Sequence, residues 1–234
     1  MKKVLTLMTG IYVFVFGCVS GPSQAVIKKS GLTIQERHIC DSLGIDSSIV
    51  LKIREYTDSG VSPFPANLEN IPPKDSAANE AKEKLHGLLF NSAHEFTNNT
   101  VNSLFDKLHR IGYTIFVYED HFGMGDRPDL VGILKTIDKY EILRRIQTDG
   151  INYQIDNDSL LHIIKKFDEK YSLQLTGVGN DWCEFKVNTP HIDWLQFAKE
   201  AYKVCPDIVD QGAGSVEKLA DEMKRTGRLY FWWD

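Results

Sequence analysis

The chain has no Lys/Arg-rich run, no ladder of aromatic and basic residues, and no second apolar stretch of membrane-spanning length after its first seventeen residues. With a formal net charge of −5, the first two absences argue against a nucleic-acid partner. The third leaves only the amino terminus to meet a bilayer. Cysteine is scarce, with four in 234 residues, so a disulfide framework is not supported. The seven histidines form no HExxH or other close ligand pair, and there is no GxSxG elbow and no Walker A loop. No zinc site, other metal or cofactor is therefore indicated. No internal repeat is present, which excludes a solenoid.

What is present begins with an address. Lys2 and Lys3 precede an apolar run from Val4 to Phe16, broken only by Thr6, Thr9 and Gly10. This is the pattern of a secretory signal peptide over residues 1–17, too short to remain as a spanning helix. Val15-Phe16-Gly17-Cys18 resembles a bacterial lipobox, which would make Cys18 a lipid anchor, whereas Ser23-Gln24-Ala25 has the small-x-small form cut by ordinary signal peptidase. The first reading is favoured, because a cysteine at the end of an apolar leader has few other uses. It places the protein on a membrane of the bacterial envelope; the second makes it secreted or periplasmic. Removing Lys2 and Lys3 leaves 25 of the 27 basic residues against 32 acidic ones, a net charge of −7.

Residues 18–59 form the anchor region and a short helical arm, with helices expected over 32–43 and 48–56. The turn formers of residues 60–76 mark a loop or linker. A domain over 77–234 follows. Its first segment, 77–89, fits a helix, although Gly87-Leu88-Leu89-Phe90 also suits the start of a strand. A helix over 97–110 with Thr97 as cap, strands over 113–118 and 130–135, and helices over 138–147 and to Tyr171 come next. Short strands over 173–178 and 182–187 flank the turn Gly179-Asn180-Asp181. A helix ends near Cys205-Pro206, another runs from Val216 to Met223, and residues 229–233 make a closing strand. The expected class is α+β: a small antiparallel or mixed sheet covered on one face by helices, with ferredoxin-like split β-α-β character in the C-terminal half.

Periodicity turns Cys183 and Cys205 toward the core. A bridge between them is possible, but buried free thiols are the favoured reading, and neither then serves as a nucleophile. The adjacent Trp232 and Trp233 must point to opposite faces of their strand, so at most one is exposed.

Three blocks carry a family resemblance: Thr148-Asp149-Gly150-Ile151-Asn152-Tyr153, Thr176-Gly177-Val178-Gly179-Asn180-Asp181-Trp182, and Cys205-Pro206-Asp207 through Gln211 with the closing Trp232-Trp233-Asp234. Over residues 138–234 the chain resembles a bacterial family catalogued as domain of unknown function 4253, marked by a Cys-Pro-Asp motif, a short helix and a terminal aromatic strand. The resemblance implies a domain and no reaction.

All three blocks place polar groups at the ends of elements. Asn152, Tyr153, Asp181, Asp207, Asp210, Gln211 and Asp234 are thus the candidate polar pocket, provided that these ends converge on one edge. Clustered carboxylates there would suit acid–base work or a cation, while isolated ones would cap helices and close turns. The loop holding Glu119, Asp120, His121, Asp126 and Asp129 reads as solvated rather than as a metal cradle. Two functions remain: an envelope lipoprotein whose α+β domain is a binding or interaction module for a protein partner, or a hydrolase using carboxylates at the ends of the sheet.

Overall fold

The computed structural model describes residues 31–64, 86–125 and 127–234. The leader, Cys18 and most of the expected linker lie outside them. No helix among the described residues is long and apolar enough to cross a membrane.

The elements are α1 (Ile34–Leu43), α2 (Ser48–Ile53), β1 (Val61–Pro63), β2 (Gly87–Ser92), α3 (His94–His109), β3 (Thr114–Glu119), β4 (Asp129–Leu134), α4 (Lys139–Ile146), α5 (Asn157–Tyr171), β5 (Leu173–Val178), β6 (Trp182–Val187), α6 (Trp194–Val204), α7 (Val216–Thr226) and β7 (Arg228–Trp232). The strands form one mixed sheet in the order β1-β2-β4-β3-β5-β6-β7. Every neighbouring pair is antiparallel except β3 and β5. The α+β class is as expected.

The expected split unit lies elsewhere in the chain. The helical links from β4 to β5 and from β6 to β7 each join antiparallel strands, so neither is a split β-α-β. Strands β2 and β3 are both antiparallel to β4, hence parallel to each other, and α3 connects them. The split unit is therefore β2-α3-β3, with β4 inserted between its strands.

The sheet is covered on both faces, not one. Alternation along each strand sends Leu88, Phe90, Ile115, Val117, Val131 and Ile133 into a core with α1, α2 and α3. It sends Leu89, Phe116 and Leu134 the other way, into a larger core with α4 to α7 and β5 to β7. Period-2 patterning in strands buried on both sides is weak, which is why a single covered face was expected.

Corrections to element boundaries have local causes. Of the helix expected over 77–89, residues 77–85 lie outside the described residues, and Gly87 to Leu89 open a strand, the alternative for that stretch, because Leu88 and Leu89 each find a core on their own side of the sheet. Val61–Pro63, inside the expected linker, is a short edge strand whose proline is tolerated there. Helix α3 starts three residues before Thr97, which is buried within it and returns its hydroxyl to the Ala93 carbonyl at 3.2 Å. Helix α2 ends at Ile53 rather than Tyr56. Caps at Thr33, Asp138, Asp156, Asp193 and Ser215 accept from backbone N–H groups as such residues do.

Four antiparallel pairings and one parallel pairing bring many ends to one edge of the sheet. Strands β2, β3, β5 and β7 finish there, and β4 and β6 begin there. His94 follows β2, Asp120 follows β3, Asp129 opens β4, Asp181 precedes β6, and Asp234 lies just past β7.

The hold of α3 on the sheet sets where His94 sits, and it rests on Val101, Leu104 and Leu108, all buried. Leu104→Ala should cost about 3 kcal/mol, and truncation of the half-buried neighbour Phe105 clearly less. Urea midpoints of the two variants check this ordering.

Candidate functional site

Two stations occupy the shared edge. The first lies at the β6–β7 end and gathers the three blocks that carry the family resemblance. Proline cannot continue α6, so the chain turns at Pro206 and winds into a π-helical turn over Ile208–Ala213. Cys205 and Asp207 flank that proline, and both reach the end of β7. The Cys205 thiol donates to the Trp232 carbonyl at 2.7 Å. Asp207, 3 % exposed, accepts from the Tyr153 hydroxyl at 2.5 Å and the Gln211 amide at 2.9 Å. It also accepts from the Asp234 backbone N–H at 3.0 Å.

The other two blocks close the knot. Trp233 is buried, donates its indole N–H to the Val204 carbonyl at 3.3 Å and its backbone N–H to the Asp181 carbonyl at 3.0 Å. Its ring fills the space where a side chain on Gly150 would stand, only 2.9 Å from an added Cβ. Thr148 and Asp149 bond the carbonyls of Gly179 and Asn180 at 2.7 and 2.9 Å.

Of the seven polar candidates, Tyr153, Asp207, Gln211 and Asp234 therefore meet, Asp234 through its backbone. Asp181 joins through its carbonyl while its carboxylate stays exposed, Asp210 turns outward to the Tyr202 hydroxyl at 3.0 Å, and Asn152 is exposed. The three carboxylates Asp181, Asp207 and Asp210 do not form a cluster. Trp232 is half-buried opposite the buried Trp233, as the strand requires.

The electrostatics of this station are those of a fastener. Burial alone would raise the Asp207 carboxyl, but the bonds from Tyr153, Asp234 and Gln211 outweigh it and hold the group below the usual carboxylate range. The same hydrogen bond pushes the Tyr153 phenol up to about 12. Cys40, Cys183 and Cys205 are all buried free thiols. Burial pushes Cys205 up to about 11, which keeps it a protonated donor rather than a nucleophile.

The second station lies at the β2–β4–β3 end. Asp129 is 1 % exposed; one oxygen accepts the His121 backbone N–H at 2.9 Å, and the other lies 2.9 Å from His94 Nδ1. Asp120 Oδ1 stands 3.6 Å from the same nitrogen and accepts the Phe122 N–H at 2.7 Å. One donor atom from each of His94, Asp120 and Asp129 lies within 4.8 Å of the others.

The loop between β3 and β4 is thus not merely solvated, because its last carboxylate is buried under it. His94, not His121, meets the two aspartates: His121 Nδ1 donates to the Pro128 carbonyl at 2.8 Å. The loop turns through Phe122, Gly123 and Gly125, all at positive φ, and Gly123 passes so close to His94 that an added Cβ would stand 3.0 Å from the imidazole Cδ2. Beside this group opens a cavity of about 460 Å³ lined by His94, Glu95, Gly123, Arg127 and Pro128 among others. Burial first, then the charges of Asp120, Glu184 and Asp181, push the Tyr230 phenol upward.

His94 escaped the sequence reading because 35 positions separate it from Asp129. The only signal was positional, a histidine just past the end of a strand that itself read as helix.

Fold and site define an α+β domain with a mixed sheet, its polar residues gathered on one edge. Residues 130–234 match the family described as Domain of unknown function (DUF4253), so this C-terminal part of the chain is similar to such a domain. The match begins at Leu130 rather than near Asp138, and it takes in the first station while His94, Asp120 and Asp129 precede it. No curated protein and no solved structure matches the chain.

The sign of the Asp207 contribution follows from its lowered carboxyl. Its stabilisation is present above the unfolded carboxylate value, near ~4, and is lost as pH falls through the lower folded value. Asp207→Asn should lose about 2 kcal/mol at neutral pH and flatten the acid limb of stability against pH. Denaturant unfolding at pH 7 and pH 3 measures both effects.

Proposed function

We propose that the protein is a bacterial envelope lipoprotein, held to a membrane through Cys18, whose α+β domain acts as a binding module for a protein partner. The observation that carries the binding role is the β3–β4 loop. It sets Phe122 in the left-handed region at φ 53 between Asp120 and Gly123, a conformation that costs a non-glycine residue on the order of 1 kcal/mol. The result is exposure: Phe122 is 58 % and Met124 69 % exposed, and Phe96 on the first turn of α3 is 54 % exposed. Large apolar side chains held outward beside a cavity suit an anchor for a partner. The acidic balance of the chain favours a partner with a basic rim and disfavours nucleic acid.

A second reading, a hydrolase using carboxylates at the ends of the sheet, is favoured by one observation. Asp129 is a buried carboxylate that fixes a partly exposed imidazole, the relation of an orienting acid to a general base. The residues that would serve it are His94, Asp120 and Asp129; Asp207 is committed to the fold.

Two measurements test the first reading. A photocrosslinking side chain at position 122 should yield a discrete adduct in envelope preparations, and the same group at the exposed position 34 should not. Equal yields at both positions would remove the loop from the interface. Labelling with a lipid precursor should mark the parent and not Cys18→Ser; an unlabelled parent makes the protein soluble and secreted.

A further inference from the structure

We propose that His94, Asp120 and Asp129 hold a divalent cation of the first transition row, with further coordination positions left open toward the neighbouring cavity. The donor set is one imidazole nitrogen and two carboxylates, a mixture that suits Zn²⁺, Mn²⁺, Fe²⁺ or Co²⁺. One donor atom from each lies within 4.8 Å of the others, with His94 Nδ1 3.6 Å from Asp120 Oδ1 and hydrogen-bonded to Asp129 Oδ2 at 2.9 Å, a bond that an ion would replace.

Charge balance points the same way independently. Three other carboxylates drawn into the fold meet a cation, Glu36 with Arg54, Asp168 with Lys139 and Glu184 with Arg228, while the buried Asp207 takes three hydrogen-bond donors instead. Asp129 is nearly inaccessible and Asp120 stands beside it, yet among the described residues neither pairs with a lysine or arginine. The one basic group within ion-pair distance of either is the His94 imidazole. A buried carboxylate needs a counter-charge or a full set of donors, and a bound cation supplies the former.

The surroundings are those of a built site. The backbone N–H groups of His121 and Phe122 each hold one carboxylate oriented from outside, as outer partners of metal ligands do. Gly123 passes beside the imidazole edge, where a side chain would crowd the ring. Three protein donors do not complete the coordination of any of these ions, and the cavity at His94 gives the remaining positions access to water or an exogenous ligand.

The test uses the purified full chain in detergent, stripped with chelator and titrated with Co²⁺, Zn²⁺ and Mn²⁺, with Mg²⁺ and Ca²⁺ as comparisons. Calorimetry should give one ion per chain for at least one transition metal, bound more tightly than Mg²⁺ or Ca²⁺, and Co²⁺ should develop ligand-field absorption. His94→Gln and Asp120→Asn, both partly exposed positions, should each weaken binding about tenfold or more, while His121→Gln should leave it within a factor of about three. No ion bound by the parent, or binding unchanged in both variants, overturns the site. A loss in His121→Gln as large as that in His94→Gln also overturns it, by moving the ion to Glu119 and His121. Because these titrations contain no partner protein, they fail or succeed apart from the binding role proposed for the loop.

Discussion

The insertion of β4 between β2 and β3 is the constraint on which the His94 edge depends. A strand running antiparallel to both neighbours must begin where they end, so the register Ser92 to Asp129 and Glu119 to Leu130 brings three strand ends side by side. A bulge between Val117 and Glu119 then shifts the pairing as β3 leaves the sheet, and bulges of this kind re-aim the side chains that follow. Gly132 permits the insertion at close quarters, because Phe116 and Phe64 lie where its side chain would be, with ring atoms 2.9 Å from an added Cβ. His94, Asp120 and Asp129 meet because of strand order, not because of sequence spacing.

At the other end of the same edge the constraint is a clamp. Pro206 stops α6 and leaves Cys205 and Asp207 on either side of one turn, and each takes hold of β7 at a different point, Trp232 and Asp234. The residues that mark the family in this chain thus fasten its last strand to the α6–α7 connection and to the 148–153 segment. A charge-assisted network with Asp207 at its centre suits that task, since the carboxylate is met by several donors and needs no cation. Loss of its charge would leave the donors facing a weaker acceptor, a structural defect rather than a chemical one.

Much of the C-terminal fold was legible because its signals are local. The strands Leu173–Val178 and Trp182–Val187 and the helix Val216–Thr226 are bounded by turn and cap residues that act within three or four positions. The inward turn of Cys205 followed from helical period. The convergence of Tyr153, Asp207, Gln211 and Asp234 was legible only as a condition, since element ends can be named from sequence while the edge they share depends on sheet order. What remained hidden was non-local. Gly87–Ser92 is apolar on both faces and so carries neither period, Val61–Pro63 is a strand only because β2 offers it an edge, and His94 acquires its role from Asp129 across an antiparallel pairing.

The two ends of this edge handle buried carboxylates in different ways, and the difference separates structure from function. Asp207 receives two side-chain donors and one backbone N–H, which spread its charge over fixed dipoles and leave nothing for a ligand to complete. Asp129 receives one backbone N–H and an imidazole that is itself partly exposed and shared with Asp120. In a low-dielectric position the second arrangement is the less complete, and it leaves room for a counter-charge. The proposed cation site thus lies at the β2–β4–β3 end, on strands that mostly precede the family match, rather than in the Cys-Pro-Asp motif. The motif fastens β7 to the sheet, and the strand order of that sheet brings His94, Asp120 and Asp129 together at its other end.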